Sequence, residues 1–148
     1  MRYILISFTI LVTLAVVTTV FMRLAPMPPE IWHLDPAEVT SPETPNFVLM
    51  RGDEAPIFDG TVDGLAAMLD VIARGDGARL IAGSVAEGHM TYVQRTRLMG
   101  YPDAISIRVR DMGGGRVAVD IFCRSRFGYS DMGVNERRVN RWLAALTP

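Results

Sequence analysis

The chain has 148 residues, 49% of them hydrophobic, and a formal net charge of −1. That length holds one domain beside a short N-terminal segment, and a core of this size folds without disulfides or metals. The single cysteine, Cys123, excludes an internal disulfide, and His33 and His89 are too few to complete a cysteine-based metal site with it. No metal and no cofactor are expected.

The first element is apolar. Ile4 to Met22 contains no charge, glycine or proline, and Arg23 closes it. At about 1.5 Å per residue the run approaches the hydrocarbon thickness of a bilayer. It is longer than the apolar core of an ordinary export signal, and no small-x-small cleavage site follows it. Residues 1–23 therefore read as an uncleaved transmembrane anchor, with residues 4–22 in the membrane. Arg2 and the terminal amine favour an internal N-terminus. Residues 24–70 carry nine acids against one base, Arg51, which favours translocation. The expectation is a single-pass protein of the inner membrane whose domain faces the periplasm.

Residues 24–60 hold seven of the nine prolines. Long helices are excluded there, and an extended run with turns is expected. Two apolar clusters, Ile31-Trp32-His33-Leu34 and Asn46-Phe47-Val48-Leu49-Met50, need a surface to dock on. The segment reads as an ordered acidic strap lying on its own domain.

Residues 61–148 form that domain. Thr61 caps a helix whose apolar face is Val62, Leu65, Leu69 and Ile72, and Gly75-Asp76-Gly77 stops it. Four strands follow, over 78–85, 89–99, 104–111 and 116–126. The last two alternate cleanly, with Ile105, Ile107 and Val109, then Val117, Val119, Ile121 and Cys123, turned inward. Gly113-Gly114-Gly115 is the hairpin loop between them. Asn135 caps a final helix bearing Val139, Trp142, Leu143 and Leu146. The predicted fold is α+β: a four-stranded antiparallel sheet with two helices on one face, in the order αββββα, after the transmembrane helix.

The candidate site is the loop from Arg124 to Asn135, which joins the last strand to the last helix. Gly128 and Gly133 allow sharp turns, Ser130 or Asp131 can satisfy loop amides, and Asn135 caps. Arg137 and Arg138 then stand in the first turn of a helix, where the dipole disfavours cations. With Arg124 and Arg126 they make a cluster that Asp131 and Glu136 neutralise only in part. Either strap carboxylates complete it, Asp53 and Glu54 being the candidates, or an external anion binds. The residues assigned to an anion- or partner-binding surface are Arg124, Arg126, Tyr129, Ser130, Asp131, Asn135 and Arg138. No catalytic residue is assigned. The alternative is a hydrolase using Ser130 or Asp131 with a histidine, although no Gly-x-Ser-x-Gly elbow is present.

Ser125, Arg126, Gly128, Asp131, Gly133 and Asn135, followed by Arg137 and Arg138, resemble the C-terminal signature of the bacterial family called domain of unknown function 1499. Pro45-Asn46 is a second match and the likeness covers about residues 45–146, while Pro102-Asp103 stands where the family carries an acidic pair and Phe122 and Cys123 where it carries Arg-Ser. The resemblance implies a small envelope-associated domain and no particular chemistry. The expected function is a membrane-anchored binding or structural module whose partner is an anionic ligand, a lipid headgroup or an envelope protein. Arginine rows on the sheet, Arg95, Arg97, Arg108, Arg110, Arg124 and Arg126, lack the stacking aromatics of a nucleic-acid surface, so nucleic acid is not an expected partner.

Overall fold

Strict alternation in two long neighbouring segments sets the centre of the sheet. The computed structural model describes residues 1–147. β5 (Pro102–Gly113) and β6 (Arg116–Ser125) pair antiparallel, placing Ile105 opposite Cys123, Ile107 opposite Ile121 and Val109 opposite Val119. β4 (His89–Arg95) pairs with β5, and β3 (Arg79–Ser84) with β4. The inward residues of these strands meet two helices, as the alternation requires.

The sheet has six strands rather than the four expected from sequence. The strap supplies the other two: β1 (Phe47–Met50) and β2 (Ile57–Asp59), which pair one after the other along the free edge of β6. Without them β6 would leave a long edge of unpaired amides. Ser125 N donates to Asn46 O (3.0 Å) and Val119 N to Pro56 O (3.0 Å), extending both pairings by one residue. Pro45 and Pro56 stand just before the strands they introduce, where a missing N–H costs nothing. Between them, a 3-10 turn (Gly52–Glu54) steps the chain outward, with Gly52 at φ +58.

α3 (Val62–Gly75) starts as predicted, with Thr61 Oγ1 accepting from Gly64 N (3.1 Å). It buries Leu65, Ala66, Leu69 and Ala73. α4 (Val134–Ala144) buries Asn135, Arg138, Val139 and Trp142. Trp142 stands edge-on to Tyr92 and donates from Nε1 to Asp76 Oδ2 (2.9 Å), tying the two helix ends together. Asn135 is not the cap. Gly133 occupies that position at φ +73, and Asn135 is the second helical residue with its side chain fully buried.

The opposite sheet face is covered by the first half of the strap. A short helix, α2 (Pro29–Trp32), begins at a proline, whose fixed φ suits a first helical position. Met27 packs with Val93 and Ala104, joined by Trp32 and Ile81. Polar contacts complete the seal: Ser106 Oγ donates to Trp32 O (3.3 Å), His33 Nδ1 bonds Thr91 Oγ1 (2.8 Å), and Asp35 pairs with Arg108 (2.9 Å). The carboxylate that the strap brings to the sheet is thus Asp35. Asp53 and Glu54 form no ion pair among the described residues.

α1 (Arg2–Leu24) projects from the domain with no buried residue, and it is long and apolar enough to cross a membrane. Its C-terminal end is fastened to the turn after β4. Arg95 donates to Met22 O and Ala25 O (2.7 Å each), while Arg23 donates to Arg97 O (2.6 Å) and Leu98 O (3.0 Å). Phe21 meets Phe127 with ring centroids 5.9 Å apart.

Candidate functional site

Four segments distant in sequence meet under the N-terminal half of α4: the approach to β1, the start of β5, the end of β6 and the helix itself. They carry Asn46, Asp103, Ser125, Asn135 and Arg138. Arg138 Nη2 donates to Asp103 Oδ2 (2.7 Å), and both side chains are almost wholly buried. Asp103 Oδ1 accepts from Ser125 Oγ (2.6 Å), whose oxygen accepts from Asn135 Nδ2 (3.1 Å). Arg138 also donates to Asn135 Oδ1, which receives the Cys123 thiol as well (3.0 Å). Asn46 Nδ2 donates to Gly128 O (2.6 Å), fixing the start of the loop. Every buried charge here has a partner, as a low-dielectric interior demands.

This network explains two oddities of the sequence. Arg138 stands near a helix N-terminus because Asp103 lies beneath it, and Asn135 faces inward to complete the chain of bonds. Burial pushes the Cys123 thiol up to about 12, against the opposing pull of Arg138, so it stays protonated and unreactive.

Asp131 caps the loop above. Its Oδ1 accepts from Gly133 N (3.0 Å) and its Oδ2 from Asn135 N (2.7 Å), the role sequence had given to Asn135. Ser130 Oγ accepts from Met132 N (3.2 Å). Met132 takes a left-handed φ of +52, unusual for a residue with a side chain. Tyr129 projects outward, 73% exposed.

The loop arginines do not form one cluster. Arg124 and Arg126 lie on the strap side of the sheet: Arg124 sits 4.3 Å from the Trp32 ring centroid and donates to Ile31 O (3.1 Å), and Arg126 lies 5.1 Å from the Phe127 ring. Arg137 and Arg138 lie on the helix side. There a cleft of about 520 Å³ opens between the end of β4, the α3–β3 turn and α4. Arg95, Arg97, Arg137, Arg138 and Arg141 line it, with Asp76 and Gln94.

Two of the five are neutralised, Arg138 by Asp103 and Arg141 by Asp76 (2.9 Å). Arg95, Arg97 and Arg137 have no carboxylate partner among the described residues. Arg137 donates to Met132 O (3.0 Å), and Arg95 serves the α1 carbonyls. Arg95 turns its guanidinium to the strap side of the sheet, where burial and then the like charges of Arg79, Arg126 and Arg23 draw its pKa downward. Arg95 lies on the outer sheet face beside Arg126 and the α1 carbonyls, as its place in the strand alternation requires; α4 packing across the end of β4 brings Arg97, Arg137 and Arg141 together on the other face. A second cleft of about 220 Å³, lined by Tyr101, Phe127, Ser130, Asp131 and Met132, shares Thr96 and Val134 with the first.

The histidines lie elsewhere. His33 and His89 stack on each other, ring centroids 4.0 Å apart, under the strap, and His89 Nε2 contacts Leu34 O (3.2 Å). No histidine lines either cleft, so the arrangement a serine hydrolase needs at Ser130 is not assembled.

No curated protein matches this chain. Among solved structures it overlaps the crystal structure of the adenylate sensor from AMP-activated protein kinase in complex with 5-aminoimidazole-4-carboxamide 1-beta-D-ribofuranotide. That overlap covers 64% of this chain and 96% of the other at 7% identity with a TM-score of 0.48, too low to carry an argument. The family described as protein of unknown function DUF1499 has a model that matches residues 37–146, a span holding Asn46, Asp103, Ser125, Asp131, Asn135 and Arg138, and the chain belongs to that family.

Proposed function

We propose that this protein is a membrane-tethered, non-catalytic binding module whose arginine-lined cleft takes an anionic group. The observation that carries the reading is the convergence of Arg97 and Arg137 on one cleft, neither of them ion-paired with a carboxylate among the described residues. An anion seated there would accept charge-assisted hydrogen bonds from guanidinium groups in a partly desolvated site. α1 supplies the tether, and we place the domain on the periplasmic side of the inner membrane. Arg2 at the N-terminus and the acid-rich residues 24–70 support that orientation.

A melting-temperature screen of the full chain in neutral detergent tests the binding. Phosphate, phosphate esters, polycarboxylates and acidic glycans should divide into binders that raise the midpoint and non-binders that leave it alone. The binders should lose their effect on an Arg97→Gln/Arg137→Gln variant. A uniform lack of response would remove the proposal. Protease accessibility of the domain in intact spheroplasts tests the orientation, with cleavage as the expected result.

A further inference from the structure

We infer that the cleft seats the phosphate of an anionic glycerophospholipid headgroup in the leaflet beside the domain. This rests on the anion-binding and tether readings and gives them a ligand class. Its basis is the way the cleft is joined to α1. Two of its lining residues, Arg95 and Arg97, also hold the last turn of that helix: Arg95 donates to Met22 O and Ala25 O, and Arg97 accepts from Arg23 through its own carbonyl.

A helix of 23 residues spans about 34 Å, slightly more than the roughly 30 Å of bilayer hydrocarbon. Its terminal Arg23 then lies at the level of the lipid phosphates, and the backbone contacts hold Arg97 at the same level.

A second observation separates a lipid from a free phosphate. Leu98, whose carbonyl is held by Arg23, is 82% exposed at the tip of the turn after β4. In water a large apolar side chain at that tip gains nothing. Beside the end of a membrane helix it enters the acyl boundary while Arg97 stays among the phosphates. The leaflet's negative surface potential would raise the local population of such headgroups around Arg97 and Arg137.

The experiment uses the full chain in nanodiscs and reads amide hydrogen exchange at residues 95–98 and 134–138. The discs contain phosphatidylcholine alone, phosphatidylcholine with phosphatidylglycerol, or phosphatidylcholine with soluble glycerophosphoglycerol, the same headgroup without acyl chains. Phosphatidylglycerol should slow exchange in the wild type about tenfold and leave the Arg97→Gln/Arg137→Gln variant unchanged, with the soluble headgroup inactive at millimolar concentration. Equal slowing by the soluble headgroup would overturn the lipid inference and leave the anion site standing. Slowing by phosphatidylglycerol in wild type and variant alike would also overturn it, since the effect would then be general attraction to a charged surface. No slowing by either compound would overturn the lipid inference, and the melting-temperature screen would decide the anion reading separately. An unchanged melting temperature of the variant in phosphatidylcholine discs confirms that it folds.

Discussion

Arg138 and Asp103 form a salt bridge of 2.7 Å in which neither side chain is more than 4% exposed. It joins the first turns of α4 to the start of β5, and Ser125 and Asn135 satisfy the remaining bonding capacity of the pair. An ion pair so placed contributes modestly in net terms, because both charges are desolvated, but loss of one partner strands the other.

Asp103→Ala should therefore destabilise the protein by about 3–5 kcal/mol. Adding Arg138→Met to it should recover part of the loss, since the stranded cation is removed. A double-mutant cycle by urea unfolding measures the coupling, expected at about 2 kcal/mol or more. A coupling near zero would mean that the two residues act independently.

Asp131 closes two loop amides that the start of α4 leaves open. Asp131→Ala should lower stability by roughly 1–3 kcal/mol, read from the thermal midpoint. If the midpoint held while anion binding disappeared, Asp131 would belong to the binding surface instead.

Stability should fall on mild acidification. The His33 pKa is held below its ordinary 6.5, first by burial and then by His89, with Arg108 acting the same way and Glu87 and Asp35 opposing. The unfolded chain therefore binds a proton that the folded chain refuses, and stability drops as pH falls from 6.5 through the folded pKa. Above 6.5 this contribution is flat. Asp70, hydrogen bonded by Arg74, and Asp76, where burial is outweighed by bonds from Trp142, Gln94 and Arg141, sit below 3.8 and act only in stronger acid. Melting temperatures from about pH 8 to about pH 5 should decline in the wild type and decline less in His33→Asn, which isolates the histidine.

Trp32 pins the strap to the sheet, packing against Met27, Val93 and Ala104 and lying under Arg124. Trp32→Ala should cost about 2 kcal/mol, less than a fully buried tryptophan because the ring is only partly covered. Limited proteolysis should then cut between residues 36 and 45 faster than in the wild type, while β1, bonded along β6, stays protected. Simultaneous exposure of β1 would mean that the strap comes off as one unit.

Arg95 couples α1 to the domain through two carbonyls at the helix end. Arg95→Met should leave the core melting temperature nearly unchanged and speed exchange of amides 96–101, which would no longer be braced by the helix. Equal exchange in both proteins would show that Arg23 alone is enough to hold the joint.

Several elements were legible without coordinates because their signals are local. The uncharged run from Ile4 to Met22 specifies α1, the Thr61 cap and its apolar spacing specify α3, and alternation from Ile105 to Cys123 specifies the β5–β6 pair. The strap's apolar clusters showed that it must dock, and Pro45-Asn46 and Ser125 to Asn135 marked the family. None of these readings required knowing what lay across space. The edge pairing of β1 and β2, the inward turn of Asn135, the Asp103–Arg138 bridge and the separation of Arg124 from Arg138 to opposite sheet faces did require it. Each depends on residues tens of positions apart meeting under a constraint that sequence does not display: a strand edge that needs partners, or a buried cation that needs a carboxylate. Residue types and periods decided what this chain contains. The tertiary structure alone decided which charges are neutralised inside and which remain facing a cleft, because that depends on distance and burial.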